Sequence, residues 1–131
     1  MKSPDSSVKT ILVVEDEPSI TSVCHRVLTN EGYEVEVAIN GKLAQNMIAE
    51  KQYSMCLIDM RTPEMNGGEL YVWLLQEHPQ MARRVIFTTG DVMGGETTRF
   101  IEQSGMPFLP KPFTPDELRA VVREALKEVE E

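Results

Sequence analysis

The sequence has no long hydrophobic run, only two cysteines and a shortage of basic residues, and each lack excludes something. No segment approaches the roughly 20 apolar residues that cross a bilayer, and the opening MKSPDSSVKT has no apolar stretch to serve as a signal peptide. These features predict a cytoplasmic chain without membrane contact. Cys24 falls in a helical pattern and Cys56 in a strand-like one, which favours two free thiols over a metal site or a disulfide. Lys and Arg number 13 against 21 Asp and Glu, a net charge of −8, which disfavours direct nucleic-acid binding and an anionic membrane surface. A dinucleotide-binding reading fails for want of G-x-G-x-x-G.

What is present is an alternation of two periodicities over 131 residues, a length suited to one domain with one core. Residues 1–8 read as a flexible polar lead-in and residues 9–131 as the domain. KTILVV (9–14) is a short apolar run ending in acids, as expected of a parallel strand buried on both faces. From Pro18, apolar residues at Ile20, Val23, Cys24, Val27 and Leu28 mark an amphipathic helix that Gly32 ends. YEVEVA (33–38) alternates like a strand with one wetter face, and Leu43, Ala44, Met47 and Ile48 mark a second helix. YSMCLID (53–59) predicts a central strand. A helix carrying Leu70, Trp73 and Leu74 ends near His78-Pro79. RVIFTT (84–89), a helix near 95–103 and a short strand PFLP (107–110) follow. The last helix opens on Thr114, Pro115 and Glu117, a capping box with proline at the first helical position. Five strands alternating with five helices predict an α/β doubly wound parallel sheet.

In such sheets ligands gather at the carboxyl ends of the strands. The first strand ends in Glu15-Asp16-Glu17, the third in Asp59, the fourth in Thr88-Thr89-Gly90, and the fifth is followed by Lys111-Pro112-Phe113. Carboxylates crowded into one crevice repel each other, and a hard divalent cation with oxygen ligands relieves this; Mg²⁺ suits one or two carboxylates with a phosphoryl oxygen. With Lys111 and a threonine hydroxyl added, the set is what phosphoryl transfer onto Asp59 needs. Each residue also has a plainer reading. Glu15 to Glu17 can cap a helix, Asp59 can form an Asx turn before Thr62-Pro63, and a strand threonine can be only a strand former. Their joint placement at four strand ends favours a shared pocket.

The pieces VVEDEP (13–18), LIDMRTPEMNGGEL (57–70), VIFTTGD (85–91) and LPKPFTPDEL (109–118) resemble the receiver domain of two-component response regulators. The spacings of 43 residues from Asp16 to Asp59, 30 on to Thr89 and 22 on to Lys111 suit that family. The resemblance covers residues 9 to about 128. It implies a CheY-like, flavodoxin-like sheet of strand order 2-1-3-4-5, with Asp59 as phosphoacceptor. Mg²⁺ would be held by Asp16 directly, by Glu15 through water, by Asp59 and by the backbone carbonyl of Arg61. Lys111 would pair with Asp59 and then with the phosphoryl group, and its peptide bond to Pro112 would be cis. Thr89 and Phe108 would be the switch residues. Arg61 and Asp91 occupy positions that tune dephosphorylation in the family; their opposite charges suggest a pair across the pocket mouth, with two independently solvated side chains as the plainer reading.

By the same resemblance the partners are a histidine kinase or phosphotransfer protein and an unnamed downstream protein, and the only chemistry is self-phosphorylation and hydrolysis. The segment from Thr88 to Phe113 resembles the terminal receivers of hybrid sensor kinases. A phosphorylation-independent interaction module is the alternative; the intact set of Glu15, Asp16, Asp59, Thr89 and Lys111 argues against it. An aspartate-nucleophile phosphohydrolase would need DxDx[TV], which Glu15-Asp16-Glu17-Pro18 does not match. His25 and His78 read as structural or solvated, and Trp73 as packing. Arg119, Arg123 and Lys127, interleaved with Asp116, Glu124 and Glu128, predict a salt-bridged surface, with a homodimer face as a further use.

Overall fold

A computed structural model describes residues 8–90 and 95–130. Along the chain run β1 (Thr10–Val14), α1 (Pro18–Asn30), β2 (Glu34–Ala38), α2 (Gly41–Glu50), β3 (Met55–Asp59), α3 (Gly67–Glu77), α4 (Pro79–Ala82), β4 (Val85–Thr89), α5 (Gly95–Ser104), β5 (Phe108–Pro110) and α6 (Pro115–Glu130). All four strand pairings are parallel, in the order β2-β1-β3-β4-β5. The chain therefore reverses direction across the sheet between β1 and β3, the switch point of a doubly wound fold.

Strand periodicity builds the two layers. Successive side chains of a strand point to opposite faces. Ile11, Val13, Met55, Leu57 and Ile86 pack with Cys24, Val27 and Leu28 of α1 and Leu118, Val122, Ala125 and Leu126 of α6. Leu12, Val14, Cys56, Ile58, Val85 and Phe87 face the other way, onto Ala44 and Ile48 of α2, Leu70 and Leu74 of α3 and Ile101 of α5. Apolar burial on both faces is why β1, β3 and β4 read as unbroken apolar runs. Edge strand β2 keeps its alternation, with Glu34 exposed and Val35 and Val37 partly buried.

The described residues form one helix beyond the five expected. His78-Pro79 ends α3, as anticipated, but Pro79 also stands at the first position of the one-turn α4. Proline has no N–H to lose there and its fixed φ already fits a helix. Both cysteines are buried and free, and burial pushes each thiol up to about 12. Trp73 packs on the core, its ring 4.9 Å from the partly buried His78, while His25 is exposed on α1. On α6, Arg119 pairs with Asp116, whereas Arg123 leaves its own helix to pair with Glu31 beyond α1 at 2.9 Å, because α1 and α6 pack side by side.

Candidate functional site

The acids at the end of β1 are held in place by backbone bonds. Glu15 extends the strand, its N–H donating to the Ala38 carbonyl at 2.9 Å, and the residue as a whole is only 2% exposed. Asp59 closes β3 and is 4% exposed. Its Oδ1 accepts the Arg61 N–H at 3.1 Å, the bond of an Asx turn, and the Met60 N–H donates to the Thr88 carbonyl at 2.9 Å. The Asx-turn reading and the shared-pocket reading of Asp59 therefore both describe it: the turn fixes one carboxylate oxygen and leaves the other facing the pocket.

That second oxygen, Oδ2, accepts from Lys111 Nζ at 3.1 Å. Lys111 follows β5, where its N–H donates to the Thr89 carbonyl at 3.0 Å and its bond to Pro112 is cis. The ammonium also contacts Glu15 at 2.8 Å and Glu17 at 3.4 Å. Burial works against this ammonium, but hydrogen bonds and charge from Glu15 and Asp59 outweigh it and raise its pKa, so Lys111 stays charged. Burial likewise raises the Glu15 carboxyl; the charge of Asp59 adds to the rise, and Lys111 with the Glu17 N–H offsets only part of it.

Carboxylate oxygens of Glu15, Asp16 and Asp59 lie within 4.8 Å of one another, two of these residues buried and Asp16 exposed. This all-oxygen donor set, with one face open to water, fits a hard divalent cation that keeps part of its hydration shell. The cavity above it measures about 510 Å³ and is lined by Asp16, Glu17, Asp59, Arg61, Gly90 and Lys111. A larger cleft of about 680 Å³ lies at the opposite pole, among Ile48, Tyr53, His78 and Arg84. It stands at the amino ends of the strands, away from the carboxylate cluster, so volume alone misidentifies the site.

Of the residues singled out from the sequence, the structure brings Glu15, Asp16, Asp59, Arg61 and Lys111 together. Thr89 is buried at the end of β4 beside the pocket-lining Gly90. Phe108 is half-buried and packs on the core, in register with Phe87. Asp91 lies outside the described residues. Glu17 was passed over as a site residue; its contact with Lys111 joins positions 94 residues apart, and the signal that could have found it is a glutamate where a helix cap wants Ser, Thr, Asp or Asn.

A doubly wound parallel sheet with acids at two neighbouring strand ends and a lysine beyond a third belongs to the class of α/β folds whose sites form at the carboxyl ends of the strands. The response regulator receiver domain family matches residues 11–123, and the chain belongs to that family. Its fold is similar to a CheY-like response regulator receiver domain protein from Methanospirillum hungatei, with 31% identity, a TM-score of 0.85 and coverage of 95% of this chain and 98% of that one. It is also similar to the receiver domain of a sensor histidine kinase from Pseudomonas aeruginosa, with 27% identity, a TM-score of 0.81 and coverage of 92% and 99%. That structure has a magnesium ion coordinated in its active site cleft. Among curated proteins, the response regulator protein PilR of Pseudomonas aeruginosa is 30% identical over 116 residues, 88% of this chain and 26% of PilR. The chain spans about a quarter to about half the length of the curated relatives it matches. Receiver domains are signalling modules of two-component systems rather than conventional enzymes. Among the described residues no helix is long and apolar enough to cross a membrane.

Proposed function

We propose that this receiver, residues 9–131, accepts a phosphoryl group on Asp59 from the phosphohistidine of a histidine kinase or phosphotransfer protein, in a Mg²⁺-dependent reaction. The observation that carries the reading is the Lys111 ammonium, 3.1 Å from Asp59 Oδ2 and set beside the three-carboxylate cluster. A carboxylate oxygen of Asp59 attacks phosphorus; a P–O bond forms as the P–N bond breaks, and the departing imidazole takes a proton from solvent. Asp16, Glu15, Asp59 and the Arg61 carbonyl would hold Mg²⁺, which when bound offsets the acidic charge and the charge on the phosphoryl oxygens.

Lys111 moves from the acceptor carboxylate onto a phosphoryl oxygen, and the Thr89 hydroxyl is drawn to the same group. Phe108, half-buried beside Phe87, then turns into the space that Thr89 leaves, so a local charge is read as a change in packing. Phenylalanine has no hydroxyl to hold an outward position by hydrogen bonding. Arg61 and Asp91 set the lifetime of the phosphoaspartate. The output is a changed protein-binding face for a downstream partner.

Beryllofluoride with Mg²⁺ tests this without a covalent step, because it occupies the place of a phosphoryl group. Amide resonances around Asp59, Thr89 and Phe108 should shift on its addition and remain unmoved in Asp59→Asn. An unmoved wild-type spectrum would count against the reading.

A further inference from the structure

The amino terminus of α1 is built differently from those of α2, α3 and α6. Asn40, Asn66 and Thr114 each turn a side-chain oxygen back onto the third residue of their helices, at 2.8, 2.8 and 3.1 Å. Glu17 occupies the same capping position on α1, with extended backbone, and its side chain makes no capping bond. Glutamate is also a poor residue for that position, because its extra methylene carries the carboxylate past the N–H groups that a cap must reach. The same extra length brings Oε1 to 3.4 Å from Lys111 Nζ. Glu17 is the outermost of the lysine's three carboxylates: its side chain is 59% exposed, against 3% for Glu15 and 5% for Asp59.

We propose that Glu17 is a positioning residue for Lys111, forgoing its cap to hold the ammonium toward the pocket mouth. The inference rests on the reading of Asp59 as phosphoacceptor. With only Glu15 and Asp59 as partners, the ammonium would settle inward, against the carboxylate that must act as nucleophile. Glu17 supplies a third, outward contact on the side where a phosphoryl group enters. The lysine is then already shared with the mouth before the donor arrives, and it keeps an anchor after it releases Asp59.

Two substitutions separate reach from charge. Glu17→Asp keeps the negative charge but is one methylene shorter and turns back to cap α1. Glu17→Gln loses the charge but keeps an acceptor oxygen at the original reach. Phosphoaspartate formation is followed by intact mass at fixed acetyl phosphate and Mg²⁺. The expected result is an initial rate at least threefold slower in Glu17→Asp, with unchanged or higher thermal stability, and a smaller loss in Glu17→Gln. In the metal-free protein the Lys111 side-chain ¹⁵N resonance should move in Glu17→Asp and stay near wild type in Glu17→Gln. A wild-type rate in Glu17→Asp, or a larger loss in Glu17→Gln, would overturn the proposal and leave Glu17 as a mouth charge only. If the wild-type protein itself gains no phosphoryl group, the acceptor reading fails and the positioning role falls with it.

Discussion

Tyr53 donates its hydroxyl to Glu36 Oε1 at 2.7 Å, and Lys51 pairs with the other oxygen of the same carboxylate. The hydrogen bond from Lys51, then that from Tyr53, holds the Glu36 carboxyl below its ordinary value of 4.5. A carboxyl depressed on folding stabilises the protein above its unfolded pKa, and that contribution is lost as pH falls through the folded one. Tyr53→Phe should therefore cost about 1 kcal/mol near neutral pH, the usual worth of one such bond. Denaturant unfolding at several pH values checks this: the gap between wild type and variant should be widest near pH 7 and narrow as pH falls below the ordinary 4.5 and through the lowered Glu36 value. A gap independent of pH would show that the loss is one of packing. The same logic of paired charge governs Lys111, where Glu15 and Asp59 outweigh the burial of an ammonium.

At the scale of elements, the loop from β3 to α3 follows Asp59 and is held by close backbone contact. Asn66 and Glu69 form a reciprocal capping box that starts α3, and Glu64 stands in the left-handed region at φ 69°. A Cβ added to Gly67 would stand 2.7 Å from the Asp59 carbonyl and 2.9 Å from the Met60 Cα, both backbone atoms that cannot turn aside. The neighbouring Gly68 has nothing closer than 3.4 Å. Alanine in place of a helical glycine ordinarily stabilises by about 0.4–1 kcal/mol. Gly68→Ala should follow that rule, while Gly67→Ala should lose about 1–3 kcal/mol by overpacking. Thermal unfolding of the two variants reads the difference; equal midpoints would mean that the loop yields without cost. Such rigidity holds the Asp59 carboxylate at one distance from Glu15 and Asp16, which follow β1.

At the scale of the whole molecule, what the sequence made legible follows from local chemistry. The apolar runs of β1, β3 and β4, the alternation of β2 and the Thr114–Glu117 box each declare their structure within a few residues. The sheet type then places Asp16, Asp59 and Lys111 at one edge, because parallel strands bring all their carboxyl ends together. Features that depend on distant neighbours stayed hidden. Arg123 pairs with Glu31 rather than within α6, and Glu17 reaches Lys111. Tyr71, Phe87 and Phe100 meet edge-on at 5.3–6.0 Å from three different elements, an arrangement no periodicity encodes. The short α4 was missed for a different reason: Pro79 signals an end and a beginning with the same residue.

The proposed role of Asp59 as phosphoacceptor is tested most directly by intact mass after incubation with acetyl phosphate and Mg²⁺, with Asp59→Asn treated alongside. One added phosphoryl group is expected in the wild type, none without Mg²⁺ and none in the variant. An adduct that persists in Asp59→Asn, or a wild type that binds Mg²⁺ and beryllofluoride yet never gains mass, would contradict it.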